Sequence, residues 1–87
     1  MANDFTATKW YGIADDSVNL INGVNAGNWT NNDFATLTQT EKNDLMQRNI
    51  DALTLILQQQ VVIDDSGSKT SYTTAITTGN TYISENS

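Results

Sequence analysis

The carboxylates with the greatest capacity for chemistry in this sequence form two adjacent pairs, Asp15-Asp16 and Asp64-Asp65. Neighbouring acids can bind a divalent cation, but Ca²⁺ takes six or more oxygen ligands, and its protein loops space their acids at alternate positions. Neither pair has that spacing. We therefore expect no metal site and interpret both pairs as helix caps and first-turn charges.

Groups for covalent catalysis are scarce. The chain has no cysteine and no histidine, which removes the thiolate nucleophile and the commonest general base. A pair of carboxylates for glycoside hydrolysis needs a deep cleft, and 87 residues rarely build one. We expect a protein that is not an enzyme, with no catalytic or cofactor-binding residues and no cofactor.

The segment VVIDDSGSKT, residues 61–70, has an apolar run followed by Gly67 and Lys69, as a phosphate-binding loop has. That loop needs a glycine directly before the lysine and another one upstream, so that backbone N–H groups surround the phosphate. Here Ser68 precedes Lys69, and Gly67 is the only glycine nearby. The segment therefore does not predict nucleotide binding.

The charge balance is acidic, with ten Asp and Glu against four Lys and Arg and a formal charge of −6. A phosphate backbone would be repelled, so we expect no nucleic-acid partner. The charged fraction is only 16%, and the chain contains 13 threonines and 11 asparagines. A surface of neutral polar groups can contact a protein neighbour without desolvating many charges.

The length of 87 residues predicts one small domain. A chain this short buries only about 60 to 65% of its unfolded surface, and without cysteine it has no disulfide. Oligomerisation or docking on a larger assembly is the expected source of further stability. No apolar run approaches the ~20 residues that span a bilayer. We expect no membrane contact, and synthesis in the cytoplasm without secretion.

The large aromatic residues concentrate near the N-terminus, where Trp10 and Tyr11 are adjacent. One interpretation is that they close an open end of a small core. The other is that they anchor a protein partner, because aromatic residues dominate interface hot spots. Both interpretations stay open, and Trp10 and Tyr11 are candidate partner contacts.

The clearest helix is predicted over 39–60. Thr38 and Glu41 have the spacing of a capping box at its start. Apolar residues then recur every three or four positions, at Met46, Ile50, Leu53 and Leu57.

The second half of this helix is apolar on more than one face, because Leu55 lies away from the Leu53–Leu57 stripe. Either the rest of the domain covers Leu55, Val61 and Val62, as in a central helix of a bundle, or they contact a partner chain. We take these three residues as further candidate partner contacts.

The threonine-rich segment 69–84 is predicted as a helix. Strand alternation gives no apolar side, whereas helical spacing collects every apolar residue on one stripe. A threonine-rich hairpin strand is the competing interpretation. The stripe consists of Tyr72, Ala75, Ile76, Gly79, Tyr82 and Ile83.

The remaining pattern predicts short helices over 15–24 and 33–37. Asp15 or Asp16 would cap the first of them, and Gly23 or Gly27 would end it. Residues 1–14 are predicted as an N-terminal arm, for which an extended conformation is one option, and 15–87 as a single helical domain. The expected fold is an all-α array of three to four helices.

The residues LMQRNIDALTLIL (45–57) and YTTAITTGNTYI (72–83) resemble small helical proteins among the structural genes of tailed bacteriophages, particularly marine and cyanobacterial phages. The shared features are Asn49 ahead of Ala52-Leu53, a loop, and an Ala-Ile-x-x-Gly-x-x-Tyr-Ile run from Ala75 to Ile83. These are helix-packing patterns, and they bring no site residues.

The resemblance implies a non-enzymatic virion component, such as a capsid decoration protein or a head or tail accessory subunit. The residues by themselves predict a small acidic helical domain that needs a protein partner. The resemblance implies that this partner is another copy of the protein or a larger virion protein. The alternative is a soluble binding module in the infected cell, such as an assembly chaperone or an acidic inhibitor of a host protein.

Overall fold

The computed structural model describes residues 6–87, apart from the side chains of Asn31 and Asn32. The described chain is helical and contains no strand, which confirms the all-α prediction. Its elements are α1 (Ala7–Ala26), a 3₁₀ helix (Asn31–Thr36), α2 (Gln39–Leu57), α3 (Gln60–Ile63) and α4 (Thr70–Glu85).

The three long helices form a bundle in which α2 runs antiparallel to α1 and α4. Gln39 Nε2 donates to Tyr82 Oη over 3.1 Å, so the start of α2 meets the end of α4. The rings of Tyr11 and Tyr72 stack with centroids 5.5 Å apart, so α1 and α4 begin at the same end. The short helix α3 joins α2 to α4 at this end, which we call the α3 end.

The start of α1 differs from the prediction. The helix begins at Ala7, so the extended arm predicted over 1–14 is wrong from residue 7 onward, and the helical domain begins there. Residues 1–5 lie outside the described part of the chain. The N-cap is Thr6, whose Oγ1 accepts from the backbone N–H of Lys9 over 3.3 Å.

This early start has a physical reason in the sequence. Trp10, Tyr11 and Ala14 continue toward the N-terminus the same helical stripe that buries Ser17 and Ile21. Their contact with the core stabilises the first two turns of α1. At the other end of the helix the prediction is confirmed, since Gly27 adopts a left-handed φ of 77° and caps it.

The helix predicted over 39–60 ends instead at Leu57, and Gln59 has extended backbone angles (φ −72°, ψ 134°). At about 100° per residue, a continuous helix would rotate Val62 by about 180° relative to Leu53. A helix that buries Leu53 would thus expose Val62. Because the chain breaks after Leu57, α3 turns Val62 into the core, where its exposure is 0%.

Other local signals in the sequence give the expected structure. Thr38 and Glu41 form the predicted capping box at the start of α2, with both reciprocal hydrogen bonds present. The helix predicted over 69–84 is α4, so the strand alternative is wrong. The helical turn predicted over 33–37 is the 3₁₀ helix, whose Phe34 ring is buried and lies 5.0 Å from Lys42 Nζ.

The contact between α2 and α4 depends on a glycine. A Cβ atom added at Gly79 would lie 2.8 Å from both Cδ1 and Cγ1 of Ile50, and 3.5 Å from Cγ of Met46. Ile50 and Met46 are themselves buried, so they have little room to move. The absence of a side chain at Gly79 therefore sets the distance between these helices.

Replacing Gly79 with alanine should destabilise the protein. Overpacking costs about 1–3 kcal/mol, which exceeds the roughly 1 kcal/mol that alanine gains over glycine in a helix. We expect a net loss of up to about 2 kcal/mol in the free energy of unfolding, measured by urea denaturation.

Gly12→Ala is the matched control, because Gly12 also lies inside a helix and its added Cβ would have no neighbour within 4 Å. This variant should be more stable than the wild type by up to about 1 kcal/mol. If both variants were stabilised, close packing at Gly79 would not constrain the bundle.

Candidate interaction surface

The structure separates the two carboxylate pairs rather than combining them. Asp15 Oδ1 accepts a hydrogen bond from Tyr72 Oη over 3.0 Å. Asp65 Oδ2 accepts one from Tyr11 Oη over 2.7 Å. Among residues 6–87, no three acids, cysteines or histidines lie together in an arrangement that could hold a metal ion.

The acids also differ from their predicted roles as caps. Asp15 and Asp16 lie inside α1, where Asp15 connects this helix to α4 through Tyr72. Asp64 follows the last residue of α3, and Asp65 stabilises the loop beyond it. The partners of Asp15 and Asp65 lie 57 and 54 residues away along the chain, so no local pattern in the sequence indicates them.

The loop between α3 and α4 is held by a set of hydrogen bonds that we call the Asp65 turn (residues 65–69). Asp65 Oδ2 accepts from the backbone N–H of Gly67 over 2.9 Å, in addition to its bond from Tyr11. Lys69 Nζ donates to the carbonyl oxygens of Asp65 and Gly67 over 2.7 and 3.2 Å. The turn thereby fixes α3 against α1.

One sequence pattern in this turn was missed by sequence reasoning. Ser66 and Lys69 have the Ser-x-x-Lys spacing of some serine hydrolases, in which lysine assists the nucleophile. In the structure the Lys69 ammonium donates to two backbone carbonyl groups. Lys69 thus closes the turn. To act as a base for Ser66, a lysine needs a neutral amino group whose lone pair faces the serine hydroxyl.

The hydrogen bonds of this end shift several pKa values. The bonds from Tyr11 and then Gly67 lower the pKa of Asp65, helped by the charge of Lys69 and opposed by partial burial. The bond to Asp65 raises the pKa of Tyr11. Burial, followed by the hydrogen bond to Asp15, raises the pKa of Tyr72 to about 12. The negative form of Asp65 and the neutral phenols of Tyr11 and Tyr72 are therefore the forms that stabilise the fold.

Two candidate partner contacts, Trp10 and Tyr11, pack within the domain. Both side chains are partly buried against the core, and Tyr11 stacks nearly parallel to Tyr72, at 9°. The geometry agrees with the interpretation that these aromatics close one end of the core. Whether a partner also contacts their remaining surface stays a prediction.

The other candidates divide into buried and exposed residues. Val62 is fully buried, so it contributes to the core and is not available to a partner. Leu55 and Val61 are exposed by 57% and 42% of their surfaces. Ile63, which was not among the named candidate contacts, is exposed by 54%. Leu55, Val61 and Ile63 lie within nine consecutive residues at the α3 end, and we call them the apolar patch.

A signal for Ile63 was present in the sequence. In one helical turn, the three consecutive apolar residues 61–63 point in directions about 100° apart, so at most one of them can face the core directly. Ile13 on α1 is likewise exposed, by 42%. We keep it apart from the apolar patch because it lies outside the segment 55–63 that defines the patch.

An open groove of about 400 Å³ lies along the other half of α2. Its walls combine two leucine side chains with acidic and basic groups. The lining residues are Leu37, Glu41, Asp44, Leu45 and Arg48.

Comparison with protein-family models, curated proteins and solved structures found no match to this chain. Within residues 6–87, no helix is both long enough and apolar enough to cross a membrane. The class of protein is therefore inferred from its own surface.

The charge of Asp65 should stabilise the fold near neutral pH. Its folded-state pKa is lowered, so this stabilisation is complete above the unfolded pKa, near 4, and is lost as the pH falls through the lower folded value. Asp65→Asn keeps an oxygen that can accept the same hydrogen bonds. We expect a lower urea midpoint than that of the wild type at pH 7, and a difference that narrows below pH 4.

The control uses Tyr11→Phe, which removes the main cause of the pKa shift while leaving the aromatic ring in place. In the Tyr11→Phe background, Asp65→Asn should lower the urea midpoint at pH 7 by less than it does in the wild type. An equal effect in both backgrounds, or a difference that does not change with pH, would contradict the assigned role of the Tyr11–Asp65 bond.

Proposed function

We propose that this protein is a non-enzymatic structural or interaction protein that binds other proteins through the apolar patch. The observation that carries the proposal is the exposure of Leu55, Val61 and Ile63 in one short segment. Removing apolar surface from water contributes about 25 cal/mol per Å², so covering these side chains with a partner would be favourable.

The backbone of α3, which carries two residues of the apolar patch, is held in a fixed position by the rest of the domain. Val62 anchors α3 in the core, while the Asp65 turn connects the loop after α3 to Tyr11 of α1. Val61 and Ile63 lie on either side of the buried Val62. A partner would therefore meet side chains on a preorganised backbone, which lowers the entropic cost of binding.

A small virion component, held in many copies on a larger assembly, is the form of this function that we propose. The resemblance to structural proteins of tailed phages supports it, as do the acidic, low-charge composition and the small size of the chain. Such a protein would be made in the host cytoplasm and then become part of the particle. A soluble assembly chaperone or an inhibitor of a host protein would use the same surface on a partner absent from the particle.

Leu55→Gln tests the role of the apolar patch. Glutamine has nearly the helix propensity of leucine, and Leu55 is exposed, so the free energy of unfolding should change by less than about 0.5 kcal/mol. Retention on particles purified from the source, measured by mass spectrometry, should fall about fivefold or more if Leu55 is a hot spot.

Thr81→Gln is the control at an exposed residue near the opposite end of α4 from the α3 end, and it should be retained like the wild type. Equal retention of Leu55→Gln and wild type would contradict the role of the patch. Particles that never contain the wild-type protein would contradict the virion assignment and favour a partner elsewhere in the cell.

A further inference from the structure

We propose that the partner of the apolar patch is a segment of another protein whose apolar side chains are flanked by lysine or arginine. This inference rests on the proposed function and specifies the chemistry of the partner. It follows from the charges that surround the patch.

Two carboxylates border the apolar patch. Asp51 precedes Leu55 by four residues in α2, which places them on the same face of the helix. Asp64 directly follows Ile63. Their side chains accept hydrogen bonds from the neutral amides of Gln47 (2.9 Å) and Gln60 (2.8 Å). Since neutral donors hold them, both carboxylates keep a charge that a basic partner can pair with.

Cations are absent from this stretch of sequence. Residues 49–68 contain three aspartates and no lysine or arginine. Lys69, which comes next, directs its ammonium group to the carbonyl oxygens of the Asp65 turn. Arg48 precedes Asp51 by three residues and is its neighbour on α2, but Asp51 accepts its hydrogen bond from Gln47. Arg48 lies about 10.5 Å along the helix from Leu55.

The same charges argue against a second copy as the partner. In a two-fold symmetric contact, each patch would face the same patch, so Asp51 and Asp64 of one copy would approach those of the other. Like charges placed opposite each other at an interface disfavour the pairing. A partner with lysine or arginine beside its apolar side chains would gain attraction from the same groups.

The test is a titration of the ¹⁵N-labelled full chain with three synthetic amphipathic helical peptides, followed by NMR. All three peptides carry the same leucine face, and their polar faces consist of lysine, glutamine or glutamate. We expect the lysine peptide to shift the amide signals of 55–63 and to bind about tenfold more tightly than the glutamine peptide at low salt. The glutamate peptide should bind most weakly.

The double variant Asp51→Asn/Asp64→Asn tests the assigned carboxylates, because asparagine can still accept from Gln47 and Gln60. Rim ion pairs are weak, so we expect its affinity for the lysine peptide to fall about fivefold. Raising the salt from about 0.1 M to about 1 M shortens the Debye length from about 10 Å to about 3 Å. The double variant and the wild type should then bind the lysine peptide with equal affinity. Glu85→Gln, at the opposite end of α4, is the control and should bind like the wild type.

The outcomes separate this inference from the proposed function. Equal binding of all three peptides at 55–63 would overturn the basic partner and leave the apolar patch as a docking surface. Binding of the lysine peptide away from 55–63 would overturn the inference as well. If no peptide shifts 55–63 and light scattering shows dimers that Leu55→Gln abolishes, the partner is a second copy. If no peptide shifts 55–63 and no such dimer forms, the proposed function itself would be contradicted.

Discussion

The break in the chain after Leu57 is the constraint on which the rest of the surface depends. The bundle needs Leu53 and Val62 in the same core, and one continuous helix cannot bury both. The extended backbone at Gln59 solves this by turning α3. Because Val62 then faces inward, Val61 and Ile63 on either side of it stay in water. The exposure of Val61 and Ile63 in the apolar patch is thus a direct consequence of how the core is completed.

Contacts between residues distant in sequence keep this arrangement in place. Tyr11 comes from α1, yet it hydrogen bonds the loop after α3 and stacks on Tyr72 of α4. One aromatic side chain therefore links three parts of the bundle at the α3 end. At the opposite end, the pair of Gln39 and Tyr82 connects α2 with α4. The bundle is held at both ends, while Gly79 lets α2 and α4 approach in the middle.

Much of the fold could be predicted from the sequence, because helices carry local signals. The Thr38–Glu41 capping box and the stripe on α4 required only residues three or four apart. The extent of α1 was missed because Thr6 was not recognised as its cap, although Trp10 and Ala14 continue the stripe. The break after Leu57 could not be found in this way, since no glycine or proline marks it and it is imposed by the packing of Val62.

The surface was predicted only in part for the same reason. Leu55, Val61 and Val62 were all named as candidate partner contacts, with burial inside the domain as the alternative. Leu55 and Val61 are exposed, whereas Val62 belongs to the core. Which member of a consecutive apolar run faces inward depends on the direction of α3, and that is set by the rest of the bundle. The Asp65 turn depends equally on tertiary structure, because Tyr11 lies 54 residues away.

The most direct test of the account is site-specific photo-cross-linking of the protein in its native assembly. A photoreactive amino acid is placed at Leu55 in one variant and at the exposed Thr81 on α4 in another, and the cross-linked products are identified by mass spectrometry. The account predicts adducts with a defined protein partner from position 55 and few from position 81. Equal yields from both positions, or a yield from position 81 alone, would contradict the claim that the apolar patch is the contact surface.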